Sequence, residues 1–200
     1  MIKKAICIIP ARSKSKRIKN KNIILINKKP LIAHVIRNLK KSGCFKDIFV
    51  STDSKKIQKI SIKYGAKVPF IRSRKLSNDF SSIHQVVKDA VKKIKVDYKY
   101  DYVCYIFPTA ILVSFKLIRK YYLQFIKSNK DFSINIKKFD HPIERAFKIK
   151  NKKLLPTNKK KFHLRTQDIS ESYYDSGEIY FAKKESFSKN KKLFKSKIKF

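Results

Sequence analysis

Residues 12–22 place Arg12, Lys14, Lys16, Arg17, Lys19 and Lys21 around Ser13 and Ser15. Guanidinium and ammonium groups interleaved with hydroxyl donors suit the spread negative charge of a triphosphate. The patterns Gly-x-x-x-x-Gly-Lys and Gly-x-Gly-x-x-Gly are both missing, so this is neither a Walker loop nor a dinucleotide fingerprint. On charge alone a basic loop is an ordinary solvated surface, and its place in the fold has to decide between the two readings. His84, His141 and His163 share no spacing with one another or with the cysteines that would make a zinc site.

The basic loop follows a short apolar run, residues 5–9, halted by Pro10. Such a run predicts a central strand buried on both faces of a parallel sheet. In open α/β sheets ligands bind beyond the carboxyl ends of the strands, and the loop after the first strand is the usual phosphate cradle. Pro30 opens an amphipathic helix through Leu31, Val35, Ile36 and Leu39 that Gly43 ends. Residues 47–51 read as the next buried strand, and Thr52, Asp53 and Ser54 can cap a helix running to about Tyr64. The unit repeats with a short strand at residues 68–71, a helix near 83–94, a strand at 102–107 and a helix after Ser114. Alternation of this kind predicts a doubly wound α/β sheet. After Asp131 the rhythm shortens to strand-like pieces at 132–137 and 146–149, with turns at His141-Pro142 and Asn151-Lys152. From Lys183 onward the chain is expected to form a short helix at best and to be partly disordered.

The whole chain has 200 residues, 42% hydrophobic and 12% aromatic, enough for one globular domain with a sizeable core. Its 51 Lys and Arg against 14 Asp and Glu give a formal charge of +37, which attracts polyanions of any kind. The charge is spread along the whole length without a nucleic-acid-binding module, which argues against a dedicated nucleic-acid binder. Cys7, Cys44 and Cys104 are an odd count in apolar or helix-end settings, which argues for a reducing, cytoplasmic compartment. No apolar stretch is long enough to span a bilayer and no signal-peptide pattern is seen.

The segment from Ile9-Pro10-Ala11-Arg12-Ser13-Lys14-Ser15-Lys16-Arg17 to Lys21-Asn22-Ile23 resembles the signature loop of CMP-sialic acid and pseudaminic acid cytidylyltransferases. The resemblance continues through residues 30–33, 50–54, 64–73, 76–82, 106–110 and 142–147 in the family's order. Arg165-Thr166-Gln167-Asp168 and Tyr174-Asp175-Ser176-Gly177 look most like the pseudaminic acid branch. It implies a Rossmann-like, glycosyltransferase-A-like nucleotidyltransferase with a mostly parallel central sheet, and a β-rich lid, dimerisation and sugar-site region at 131–182. The activity implied is transfer of CMP from CTP to an acidic nine-carbon sugar, in a cytoplasmic, Mg²⁺-dependent homodimer.

Carried over by position, Arg12, Ser15, Lys16, Lys21 and Asn22 would hold the CTP phosphates and ribose, with Arg12 and Lys21 in the catalytic role. Lys21 would stabilise charge as pyrophosphate leaves, and Arg72 and Ser82 would help seat cytosine. Arg165 would pair with the sugar's carboxylate, with Gln167, Tyr174 and Asp175 lining the sugar pocket. Two departures stand out. Many relatives have a Gly pair where this chain has Ser13 and Lys14, which lets backbone N–H groups approach phosphate closely. Relatives also carry an Asp-Ile-Asp-Thr segment that supplies the Mg²⁺ carboxylates, whereas this chain has no Asp after Asp175. The expectation is therefore a truncated chain or an impaired enzyme. Asp53, Asp79 and Asp175 are candidate substitutes, the first read by preference as a helix cap and the second as a loop carboxylate. The rival readings are a degenerate family member that binds CTP or polyanions without turnover, and a CMP-sialic, CMP-legionaminic or CMP-Kdo synthetase.

Overall fold

In the computed structural model, residues 5–96, 99–189, 193 and 196–200 are described. In chain order the strands are β1 (Ala5–Pro10), β2 (Leu25–Ile26), β3 (Lys29–Pro30), β4 (Asp47–Ser51), β5 (Tyr102–Ile106), β6 (Phe132–Lys138), β7 (Phe147–Lys150), β8 (Lys153–Pro156), β9 (Tyr173–Lys183) and β10 (Ile198–Lys199). The helices are α1 (Leu31–Ser42), α2 (Lys55–Lys63), α3 (Ile83–Lys93), α4 (Phe115–Ser128) and α5 (Lys184–Ser188).

Every residue of β1 is buried. Successive side chains leave opposite faces of a strand, so Ala5, Cys7 and Ile9 enter one core while Ile6 and Ile8 enter the other. The first core is covered by Ile32, Val35, Ile36 and Leu39 of α1, Ile57 of α2 and Ile118, Tyr122 and Phe125 of α4. The second is covered by Val87 and Ala90 of α3 and by Phe187 of α5. The six-stranded sheet runs β10-β6-β9-β5-β1-β4. Strands β4 and β5 flank β1 in parallel, β10 is parallel to β6, and β9 is antiparallel to β5. This is the α/β class that the alternating pattern predicts, with the mostly parallel central sheet that the family resemblance implies.

Helix α1 ends where Gly43 takes a left-handed backbone at φ 67, its N–H donating to Lys40 O. Residues 68–71 differ from expectation. They form no strand: within them only Ile71 makes a single parallel bridge, to Thr52, and Lys67 just before them makes another to Phe49. Pro69 has no N–H to donate, so a continuous ladder cannot form through it. Strand β9 was hidden from the sequence pattern, because Asp175, Ser176 and Gly177 read as turn residues. Its far half, Ile179 to Ala182, is a buried apolar run. The expected short helix after Lys183 is α5, and residues 190–192, 194 and 195 of that stretch lie outside the described residues.

The chain forms two compact units, one of them Asn135–Ser176 and the other the remainder. In the smaller unit β7 and β8 make an antiparallel hairpin, with Asn151 and Lys152 both at positive φ (49 and 59). Two consecutive positive-φ residues are the signature of a type I′ turn, which fits the turn predicted at those residues.

Phe125 is fully buried between Tyr102 and Phe181, with ring centroids at 5.7 and 5.8 Å. Phe125→Ala is expected to lower unfolding free energy by about 3–5 kcal/mol. Urea titration should show the midpoint falling with unchanged slope.

Candidate active site

Because β1 and β4 are parallel, with Pro10 opposite Ser51, their carboxyl ends finish side by side. The N–H of Ala11 donates to Ser51 O at 2.9 Å and carries the pairing one step past the strand. The next residues of each chain segment then face each other. Ser54 caps α2, its Oγ accepting from the Ile57 N–H at 3.3 Å. The expected capping role of Asp53 is therefore filled by its neighbour, and the Asp53 carboxylate turns to the basic loop instead. Its Oδ1 accepts from the Ser13 N–H at 2.7 Å and its Oδ2 from the Ser13 hydroxyl at 2.8 Å. Ser13 thus commits its backbone N–H to a carboxylate.

The far wall is residues 71–80. The N–H of Arg72 donates to Thr52 O at 2.8 Å, and its side chain is almost wholly buried with Nε donating to Ser77 Oγ at 3.1 Å. Burial pushes the Arg72 guanidinium below its ordinary value, the Asp53 carboxylate works against that shift, and Arg12 reinforces it. Asp79 accepts from Arg12 Nη1 through Oδ1 and from Lys16 Nζ through Oδ2, both at 2.7 Å. Lys16 first and Arg12 second hold its carboxyl below the usual range. Its contribution to stability is present above the ordinary carboxylate value and fades only as pH falls through the lowered one.

Between these walls lies an open cleft of about 1120 Å³. Its cations are Arg12, Lys14, Lys16, Lys19, Arg72 and Arg74, against the two carboxylates Asp53 and Asp79. A polyanion is the ligand class that such a wall selects. Of the residues singled out from sequence, Arg12, Ser15, Lys16 and Arg72 line the cleft. Lys21 and Asn22 sit on the 3₁₀ turn Lys21–Ile23 just beyond it, where the buried Asn22 amide donates to Arg12 O at 2.9 Å. Ser82 caps α3 in a reciprocal box with Gln85 and is not among the lining residues. Sequence reasoning passed over Asn78 and Phe80. Asn78 builds the turn that carries Asp79, its Oδ1 accepting from the N–H groups of Phe80 and Ser81, and Phe80 lines the cleft at 94% exposure.

Arg165, Gln167, Tyr174 and Asp175 all belong to the smaller unit and are exposed. Arg165 forks onto its neighbour, Nε to Asp168 Oδ2 at 2.8 Å and Nη2 to Oδ1 at 3.4 Å. Tyr174 packs on Phe139 with ring centroids 4.9 Å apart.

Among the described residues no three His, Cys, Asp or Glu side chains are grouped to hold a metal ion. Both carboxylates of the cleft are engaged, Asp53 by Ser13 and Asp79 by two cations. The residues present therefore do not fit a Mg²⁺ site built by the protein alone.

The cytidylyltransferase family model matches residues 6–199. This chain belongs to the cytidylyltransferase family. A pseudaminic acid cytidylyltransferase of Campylobacter jejuni subsp. jejuni is 37% identical over 194 residues, covering 96% of this chain and 84% of the relative. A CMP-N,N'-diacetyllegionaminic acid synthase of Legionella pneumophila is 43% identical over 106 residues, 52% of this chain and 46% of the relative. Among solved structures, a CMP:2-keto-3-deoxy-manno-octonic acid synthetase complexed with CTP superposes with a TM-score of 0.70 at 17% identity. That superposition covers 94% of this chain and 77% of the other, and it places the cytidylyltransferase among known folds.

Replacing Asp53 by Ala should release the Ser13 amide, which is expected to exchange with solvent about tenfold faster or more. The helical circular dichroism of α2 should be unchanged, since Ser54 is its cap. Loss of α2 helicity with unchanged Ser13 exchange would contradict this assignment.

Proposed function

We propose that this family member transfers CMP from CTP to a nonulosonic acid, pseudaminic acid foremost, with release of pyrophosphate for surface or flagellar glycan synthesis. The observation that carries the reading is the cationic cleft at the joined ends of β1 and β4, whose lining includes Arg12, Ser15, Lys16 and Arg72. Similarity to a pseudaminic acid cytidylyltransferase over 96% of this chain and 84% of the relative supports the choice of sugar. No observation favours the rival in which the chain binds CTP without turnover, and the low-identity likeness to the octonic acid synthetase speaks only for the fold.

In this reading the sugar's anomeric hydroxyl attacks the α-phosphorus of CTP as the bond to the β-phosphate breaks. The step asks for positioning and charge neutralisation rather than a covalent intermediate. Arg12 and Lys16 bind phosphate oxygens from the loop, Ser15 donates its hydroxyl, and Lys21 neutralises the leaving pyrophosphate. Asn22, by holding the Arg12 carbonyl, fixes the loop that presents these groups to phosphate and ribose. The buried Arg72 offers a fixed guanidinium to the base, and Ser82 remains proposed beside it. Arg165, Gln167, Tyr174 and Asp175 are the proposed sugar contacts, which requires Arg165 to exchange Asp168 for the substrate's carboxylate. Mg²⁺ is the proposed cofactor; it would add charge neutralisation during the transfer, and no residue of the cleft is assigned to hold it.

A homodimer is part of the proposal. Ile149 and Leu154 are cross-strand partners in the β7/β8 hairpin, and both are strongly exposed at 80% and 60%. An exposed apolar pair on a two-stranded ribbon gains by being covered. Three buried cysteines support a reducing, cytoplasmic setting, and no helix among the described residues is long and apolar enough to cross a membrane.

Incubated with CTP, Mg²⁺ and pseudaminic acid, the protein should release pyrophosphate, and the Arg12→Ala, Lys21→Ala double variant should be slower by at least about a hundredfold. Silence of the parent protein with pseudaminic, legionaminic and sialic acids alike would sink the proposal. Light scattering should give twice the chain mass, falling to one chain for Ile149→Lys with Leu154→Lys; a monomeric parent would refute the dimer.

A further inference from the structure

Asp79 is one of 14 acidic residues in a chain with 51 basic ones, yet it stands inside the cationic cleft. Its two oxygens take one cation each, Arg12 through Nη1 and Lys16 through Nζ. Arg12 Nη1 also donates to the neighbouring Asn78 carbonyl at 3.0 Å. The turn that presents the carboxylate is itself structured, with Asn78 Nδ2 donating to Lys75 O and the Ser81 hydroxyl donating to the same carbonyl. Two cations of the phosphate loop, distant from Asp79 in sequence, are therefore already satisfied by an anion that belongs to the protein.

We propose that Asp79 is a built-in competitor for the phosphate groups of the nucleotide, closing on Arg12 and Lys16 when the cleft is empty and giving way when a triphosphate enters. The inference rests on reading the cleft as the CTP site. Both ion pairs are solvent-exposed, with Lys16 at 79% and Asp79 at 37%, so each is weak enough to be displaced. The carboxylate is nonetheless tethered, which gives it an effective concentration that a dilute free anion cannot match. A phosphate ester carrying several charges and further contacts overcomes it; a lone carboxylate or phosphate does not. After the reaction the same closure displaces pyrophosphate, so Asp79 sets both the threshold for anion entry and the ease of product release. Like any ordinary carboxylate it is ionised at neutral pH, and Lys16 and Arg12 hold its carboxyl lower still.

Isothermal titration of the full chain with CTP, and separately with inorganic pyrophosphate, tests this with Asp79→Asn and Asp79→Glu. A competitor weakens every ligand of the shared cations by one common factor. Asp79→Asn should therefore tighten both ligands by the same factor, about three- to tenfold for two exposed pairs. Asp79→Glu keeps the charge and should stay within about twofold of the parent. Unchanged or weaker binding of either ligand by Asp79→Asn, with the parent binding CTP, overturns the proposal and makes Asp79 a positioning residue for Arg12. A parent that binds neither ligand removes the reading of the cleft itself and this inference with it.

Discussion

Six cations within residues 12–22 repel one another, and the cleft depends on how that repulsion is restrained. Two unit charges 4 Å apart interact by about 1 kcal/mol in water and about 4 kcal/mol near a protein surface, so an unrestrained loop of this kind would splay. Two carboxylates prevent it by different means. Asp53 acts through hydrogen bonds to Ser13 and pins the start of the loop to the end of β4. Asp79 acts through charge and ties Arg12 and Lys16 to the opposite wall. The first restraint is structural and the second is exchangeable, and this difference lets a basic loop be shaped before its ligand arrives and still yield to it.

The fold serves that arrangement directly. Because β1 is buried on both faces, its register against β4 and β5 is set by two cores at once, and a slip of one residue would exchange them. The register in turn fixes which residue follows each strand. Ser13 meets Asp53 because Pro10 is opposite Ser51, and Arg72 reaches the same place because its N–H joins Thr52. The departure from a Gly pair at Ser13 and Lys14 acquires a physical meaning here. The serine hydroxyl gives Asp53 a second donor, and a glycine would leave that oxygen without one.

Much of this was legible in the sequence, and the exceptions share a cause. The central strand, α1 with its Gly43 stop and the presence of a turn at Asn151-Lys152 follow from local patterns of burial, spacing and backbone preference. So does the position of the basic loop after the first strand. What the pattern missed depends on pairing across long sequence distances. Residues 68–71 look like a strand until Pro69 meets a ladder that needs its N–H. Strand β9 begins in turn-forming residues and becomes recognisable only from the buried run that follows. Asp53 looks like a helix cap beside Ser54, and nothing local shows that Ser13, forty residues earlier, will claim it. Asp79 was legible as a loop carboxylate, but not as a counter-ion, because its partners come from another segment.

The central claim is that the cleft at the carboxyl ends of β1 and β4 is where CTP binds. Hydrogen–deuterium exchange with and without CTP measures this directly, peptide by peptide. Protection concentrated in residues 11–22 and 71–82, with the core strands unchanged, is the predicted result. Protection elsewhere with those two segments unaffected would contradict it.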